Sequence, residues 1–321
     1  MFTDSDKLIE CVPNFSDGRN QAIIDAIAAA INSTADVKLM HVDAGYDANR
    51  TVYTFAGKPS AVLEAAYLAI KTANELIDMR MHKGEHPRMG ACDVCPLIPL
   101  HHISMEEVVE LSKLLGNRIG NLGIPVYLYE HSATSPERKN LSYLRKGEYE
   151  SIPQKIQLPE WKPDFGPADF NERFGMMALG ARNFLIAYNI NLKSKDLSLA
   201  KRIALEIRQI RAKNDGSYES CLLQHVKAIG WWMEEYQCTQ ISINITDIFA
   251  SPLIEVYDCI KKIAGNYGIE VDGSELIGLV PELTLRHPNR SVQEAAAYLG
   301  LDSVKPFKIN ERVIEYNLRK V

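Results

Sequence analysis

The densest group of reactive side chains lies in one short run, HKGEHPRMG, from His82 to Gly90, with Asp93 close behind. It holds His82, Lys83, Glu85, His86 and Arg88. Gly84, Pro87 and Gly90 lie between them and break helical structure, so the run reads as a tight loop between a helix and a strand. Three chemistries compete for it. His82-x-x-Glu85-His86 matches the string of inverted zinc peptidases. That site needs both histidines on one helical face, whereas Gly84 interrupts it and Pro87 pushes His86 out of α geometry. A second reading is a solvated loop of polar residues. The third is a general acid–base histidine working near its unperturbed pKa of about 6.5, oriented by Glu85 or another carboxylate.

A second cluster, Asp43-Ala44-Gly45-Tyr46-Asp47-Ala48-Asn49-Arg50, lies between two strand candidates that are expected not to be neighbours, so the loop is expected to be a crossover with room for function. Asp43 suits a ligand N–H or an orienting role, and Arg50 suits a bidentate carboxylate clamp; an Asx-turn with an exposed arginine is the plain alternative. Asn14, Ser16, Asp17 and Gly18 read mainly as a helix cap, with Asn14 able to face a ligand. Cys92 and Cys95 form a CxxC without a second pair. On a strand their thiols are expected on opposite faces, as packing residues. Trp231 and Trp232 should likewise alternate, one in the core and one on a surface. The chain has no G-x-G-x-x-G, no P-loop and no G-x-S-x-G, which weakens dehydrogenase, NTPase and serine-hydrolase readings.

The elements that position these residues repeat. Leu8 to Val12, a helix after Gly18, Lys38 to Val42, Thr51 to Ala56, a helix from Pro59 to Ile77 and Asp93 to Leu97 give the order β-α-β-β-α-β. The same order returns from Phe184 to Val280. The expected class is therefore α+β, with two ferredoxin-like subdomains, residues 1–180 and 181–321. Between them, His131 to Phe174 loses periodicity, as functional loops or linkers do. The 321 residues are 46% hydrophobic and 24% charged with a net charge of −5, which suits a soluble two-domain protein and shows no basic stripe for nucleic acid. No apolar run approaches the roughly 18 residues of a membrane span, and no secretory signal opens the chain, so a cytoplasmic protein is expected. The six cysteines, Cys11, Cys92, Cys95, Cys221, Cys238 and Cys259, read as free thiols in a reducing compartment.

Five strings in order, CVPNFSDG (Cys11 to Gly18), VDAG with NRTVYTFAG (Val42 to Gly57), GEHPRMGACDVCP (Gly84 to Pro96), PDFGP (Pro163 to Pro167) and GARNFLIAYNINL (Gly180 to Leu192), give the sequence a specific resemblance. It resembles the formiminotransferase family, found in formimidoyltransferase-cyclodeaminases and stand-alone bacterial glutamate formimidoyltransferases, from about Leu8 to Tyr316. The resemblance implies two subdomains with a ligand cleft or tunnel between them. It implies transfer of the formimidoyl group from N-formimidoyl-L-glutamate to tetrahydrofolate as co-substrate, in histidine degradation, without a metal. It selects His86 over His82 as the catalytic histidine; the chemistry then suits Asp43 to orient it or the pterin. By their residue types, Asn14 and either Arg50 or Arg88 as a carboxylate clamp are the substrate-binding candidates. The resemblance places the folate loop at Gly166, Pro167, Ala168, Asp169, Phe170, Asn171, Glu172, Arg173, Phe174 and Gly175, whose middle departs from the family's form. It also implies a homodimer with small-molecule partners; charge and hydropathy, as above, point to neither nucleic acid nor membrane. The end at Val321 leaves no room for a cyclodeaminase domain, so the product is expected to leave unprocessed. N-formylglutamate as the donor, and a folate-binding protein without turnover, are the alternatives.

Overall fold

In the computed structural model, residues 6–212, 223 and 225–318 are described; Cys221 lies outside them. The fold is α+β with two sheets, and its contacts divide into Met1–Arg182 and Asn183–Val321.

The first unit runs β1 (Leu8–Cys11), β2 (Asn14–Phe15), α1 (Gln21–Asn32), β3 (Val37–Gly45), β4 (Arg50–Gly57), α2 (Pro59–Leu76), β5 (Cys92–His101), α3 (Met105–Gly120), β6 (Val126–Leu128), the short helices α4 (Leu141–Arg145) and α5 (Ile152–Lys155), and β7 (Met177–Ala181). The first strand is shorter than its apolar run because Pro13 has no N–H to give the ladder; β1 and β2 together occupy the lane between β4 and β5. Next to β5 come β7 and β6, both paired in parallel.

The expected crossover between β3 and β4 is instead a hairpin. The two strands pair antiparallel from Val37↔Gly57 to Gly45↔Arg50, and Asn49 turns the chain with φ +46°. Only Tyr46 to Asn49 separate the two strands, and so short a connection joins antiparallel neighbours rather than a crossover.

One face of this sheet packs Ile9, Cys11, Phe15, Tyr53 and Phe55 against Ile24, Ile27 and Ile31 of α1 and the alanine-rich side of α2. The other face meets a second core, in which Met89, Val94, Tyr127, Tyr129 and Met176 surround Leu144, Ile152, Ile156 and Trp161. The stretch 131–174 supplies much of that core. Its Trp161 stacks on Tyr143 at 5.1 Å, and its Arg138 makes a buried ion pair with Asp164 at 2.9 Å. A period of 3.6 or 2 never emerges there because short turns bury isolated residues rather than a face.

The second unit runs β8 (Ile186–Leu192), α6 (Leu197–Ala212), β9 (Val226–Met233), β10 (Cys238–Ile245), α7 (Leu253–Asn266), β11 (Val271–Ile277) and α8 (Val292–Tyr298). Its sheet order is β11-β8-β10-β9, all antiparallel. Ser291 and Glu294 close a capping box on α8. Neither Trp231 nor Trp232 enters the core: each is half-buried and donates its indole N–H, to Gln240 and to Glu234, both at 2.7 Å. An indole N–H away from water needs such a partner; β10 supplies it for Trp231 and the turn after β9 for Trp232. Among the described residues no helix is long and apolar enough to cross a membrane.

Candidate active site

The site is built on the sheet face of the first unit that looks away from α1 and α2. Asn14 and Phe15 are consecutive on β2, yet they face Val94 and Cys92 on β5. Asp93 is thus an extra residue, a β-bulge of the kind that re-aims a side chain. The bulge also overturns the expected split of the CxxC, for Cys92 and Cys95 both enter the helix-side core, where Cys95 lies 3.5 Å from Cys11.

Asp93 is fully buried. Its Oδ2 accepts from Arg50 Nη1 at 2.7 Å and from Arg145 Nε at 3.0 Å, and its Oδ1 accepts from the Met89 amide at 3.0 Å. Burial raises its pKa, but Arg145 and Arg50 outweigh that and hold the carboxyl far below the usual range. Arg50 continues through Nε to Asn14 Oδ1 at 3.0 Å, and Asn14 is itself fixed by donating to Val12 O at 2.8 Å. One carboxylate between two guanidiniums leaves a surplus positive charge, which suits a carboxylate ligand. Arg145 was missing from the sequence-derived site, and Asp93 stood in the His82 to Gly90 cluster without a role. Arg145 comes from α4, in a stretch without periodicity, and no local motif marks it.

His86 is half-buried. Its Nδ1 lies 2.7 Å from Pro87 O. A carbonyl only accepts, so Nδ1 carries the proton and the lone pair of the neutral ring sits on Nε2. Burial, with Arg50 and Arg145 behind it, drives the His86 pKa well below the ordinary histidine value, against a smaller upward pull from Asp93. His82 is used differently. Its Nε2 donates to Asn49 O at 2.8 Å and its Nδ1 accepts from Arg88 Nε at 3.3 Å. Both ring nitrogens are committed to holding the loop, which leaves no lone pair for a metal. Among the described residues no three or more His, Cys, Asp or Glu side chains cluster as metal ligands.

The remaining expected residues fall as follows. Arg88 is buried and directs its guanidinium to Glu148 at 2.9 Å and Glu150 at 2.6 Å. Glu85 is exposed and only its backbone is held, by Asp47 O at 3.1 Å. Asp43 lies on β3 opposite Val52, which also faces Asn14, so Asn14 and Asp43 flank Val52 in one row; His41 Nε2 is 3.8 Å away. The expected cap at Asn14 to Gly18 is not one. Asn20 caps α1 by accepting from Ala22, while Ser16 Oγ donates to Gly90 O at 2.7 Å. Gly18 approaches β4 so closely that a Cβ there would lie 2.6 Å from Arg50 N.

The segment Gly166 to Gly175 is pinned at both ends. Gly166, at φ +82°, lies against Ile124 O, and Gly175, at φ +83°, against Met89 O. Phe174 O accepts from Ala91 N at 2.7 Å and Met89 O from Met176 N at 3.0 Å, so its end is joined to the strand that follows His86. Pro167 and Phe170 are half-buried and Ala168, Asp169, Glu172 and Arg173 exposed. Asn171 closes the turn through Phe174 N at 2.9 Å, and Phe170 packs on Tyr149 at 5.5 Å.

The loop bearing His86 rests on the hairpin tip. A Cβ on Gly84 would stand 2.3 Å from Ala48 O. Gly84→Ala is therefore expected to displace the loop and lower kcat/KM by more than about 10-fold, since misplacement by an ångström costs up to 100-fold. Steady-state kinetics beside an unchanged circular dichroism spectrum checks this.

An α+β protein with a neutral histidine beside a surplus of buried guanidinium charge is fitted for proton transfer on an anionic substrate. Residues 8–182 match the N-terminal subdomain of the formiminotransferase domain and residues 187–319 the formiminotransferase domain; the chain belongs to the formiminotransferase family. It is 45% identical to formimidoyltransferase-cyclodeaminase of Rattus norvegicus over 97% of this chain and 60% of that one. It is 40% identical to glutamate formimidoyltransferase of Streptococcus pyogenes over 97% of this chain and 99% of that one. It is also 40% identical to that of Thermoplasma acidophilum over 96% and 97%. The chain thus spans 60% of the length of the rat protein and nearly all of the bacterial and archaeal ones.

Proposed function

We propose that this protein transfers the formimidoyl group from N-formimidoyl-L-glutamate to N5 of tetrahydrofolate. The carrying observation is His86, whose Nδ1–H is fixed on Pro87 O and whose ring is kept neutral by burial and by Arg50 and Arg145. In this reading N5 attacks the formimidoyl carbon and its proton passes to His86 Nε2. The tetrahedral adduct then breaks its bond to the glutamate nitrogen, which takes the proton back from His86. Arg50 and Arg145 hold a carboxylate of the donor, and Asn14 fixes Arg50. Asp43 orients the pterin from the same sheet face. Arg88, balanced by Glu148 and Glu150, holds the loop rather than a ligand. The segment Gly166 to Gly175 carries the folate, and a cytoplasmic homodimer is the form in which we expect the protein to act. The product assay with both substrates tests the reading; absence of 5-formimidoyltetrahydrofolate overturns it.

A base acts only while unprotonated, so activity is lost as pH falls through the His86 pKa. The acid limb of kcat/KM should accordingly lie well below 6.5. Arg145→Gln removes one of the charges that depress His86. It is expected to move that limb upward and to raise the KM for the donor about 10-fold or more. A pH–rate profile of both proteins measures the two effects together.

A further inference from the structure

The connection between α4 and α5, residues 146–151, carries a feature that the scheme above leaves unused. Leu144 and Ile152 anchor its two ends in the second core of the first unit. Between them Glu148 stands at φ +56° and ψ −160°. That conformation is essentially glycine's own, and another residue keeps it only where the surrounding structure holds it there. A glycine would sit at this position without strain. What a glycine lacks is a carboxylate, and it is the carboxylate that is held.

Its grip is on one peptide unit. Glu148 Oε2 accepts from Arg88 N at 3.3 Å and from Arg88 Nη1 at 2.9 Å. Arg88 N belongs to the Pro87–Arg88 peptide, whose carbonyl, Pro87 O, is the acceptor for His86 Nδ1 at 2.7 Å. A trans peptide is planar, with its N–H and C=O pointing opposite ways, so a tie on one end aims the other. Tyr149 N donates to Arg88 O at 3.0 Å. Glu150 closes a fork on the Arg88 guanidinium, accepting at 2.6 Å and 2.9 Å. Glu148 N in turn donates to Arg145 O at 2.8 Å, which ties the strained residue to the end of α4. The same connection reaches the segment Gly166 to Gly175. Tyr149 OH donates to Glu172 O, and the Tyr149 ring packs on Phe170 at 5.5 Å.

We propose that Glu148 is a positioning residue for His86, acting through the Pro87–Arg88 peptide, and that Tyr149 makes its setting depend on the segment Gly166 to Gly175. The link to the co-substrate rests on the formimidoyl-transfer reading, in which that segment carries the folate. The Glu148 carboxylate draws the Arg88 N–H toward itself. Pro87 O is thereby aimed at the imidazole and keeps its proton on Nδ1, with the lone pair on Nε2. Without that tie the peptide can turn, and the ring can carry its proton on either nitrogen. A neutral ring protonated on Nε2 cannot take the proton from N5. A strained residue has an easier conformation to fall into, so each contact that holds Glu148 and its neighbour counts. A folate seated on the segment keeps Phe170 and Glu172 against Tyr149, and the histidine is then set when its co-substrate is in place.

Nitrogen NMR of histidine-labelled protein at neutral pH reads the tautomer without substrates, the His86 signals being those that His86→Ala lacks. The unmodified protein should show the Nδ1–H ring alone. Glu148→Gly suits the backbone and removes the carboxylate. Its ring should divide between the two tautomers, and kcat should fall about 10-fold, as for a misplaced catalytic group. Tyr149→Phe loses a single O–H. It should do both in smaller measure, and lower kcat more than it raises the KM for tetrahydrofolate. A ring still wholly Nδ1–H in a folded Glu148→Gly overturns the role of Glu148. A Tyr149→Phe protein with ring and kcat unchanged overturns the link to the segment, even where its KM for tetrahydrofolate rises. Should Glu148→Gly not fold, Tyr149→Phe decides alone. Absence of formimidoyl transfer by the unmodified protein overturns the reaction, while the tautomer still judges Glu148 by itself.

Discussion

Replacing His86 with alanine is expected to lower kcat by about 100- to 10,000-fold and to leave the fold intact. The magnitude follows from the chemistry. Without a base, the attacking nitrogen keeps its proton and the adduct returns to reactants; without an acid, glutamate departs as a poor anionic leaving group. The fold should survive because the Nδ1 hydrogen bond is local, to the carbonyl of the next residue, and the ring is only half-buried. His82→Ala provides the contrast. It removes the bonds to Asn49 O and Arg88 Nε, so it should lower thermal stability and raise KM more than it lowers kcat. Added imidazole should rescue His86→Ala and not His82→Ala. A His86→Ala protein with near-normal kcat would falsify the assignment.

Asp93→Asn is expected to be the most damaging single change to stability. The carboxylate is buried between Arg50 and Arg145, and removing one partner of a buried ionic group costs about 3–5 kcal/mol. Here it leaves two guanidiniums side by side, and their repulsion adds to the loss. Urea denaturation at neutral pH reads the difference directly. The pH dependence gives a second check. The folded pKa of Asp93 is depressed, so its stabilisation is complete above the unfolded carboxylate value of about 3.9 and is lost as pH falls from there toward the lower folded value. The unmodified protein should therefore lose this contribution only in strong acid, and the variant should lack that part of the acid transition. His86 works in the same sense but in a higher pH window. Its depressed pKa means that the unfolded chain takes up a proton first, so stability also declines as pH drops below about 6.5.

Much of the frame is readable from period alone. NQAIIDAIAAAI and YNINL bury the alternation that a helix and a strand each require. The capping box at Ser104 and Glu107 sits where α3 begins, and the glycine and proline of HKGEHPRMG mark a loop. What the sequence hides is long-range. Nothing near Asp93 announces that a bulge turns it toward Arg50, because the bulge depends on the register of β2 against β5. Arg145 is one cation among many until α4 folds under the sheet. Arg88 looks like a ligand clamp as long as Glu148 and Glu150, sixty residues away, are read as a polar loop. Ser16 looks like a cap because its bond to Gly90 spans distant strands. In each case the local residue types permit two roles, and only the packing of separate segments selects one.

The clasp formed by Asn49 has a consequence for the dynamics of the loop. From a left-handed turn at φ +46°, its side chain accepts from Gly18 N at 3.0 Å and donates to Lys83 O at 2.9 Å, and its carbonyl receives His82. Three segments far apart in sequence are thereby closed by a single residue. Such a loop does not fray alone; it opens when the strands beneath it open. Its amides at Gly18 and Glu85 should exchange with deuterium at the slow rate of the sheet rather than at the rate of a surface turn, and a fragment lacking the β3–β4 hairpin should hold the histidine in no defined place.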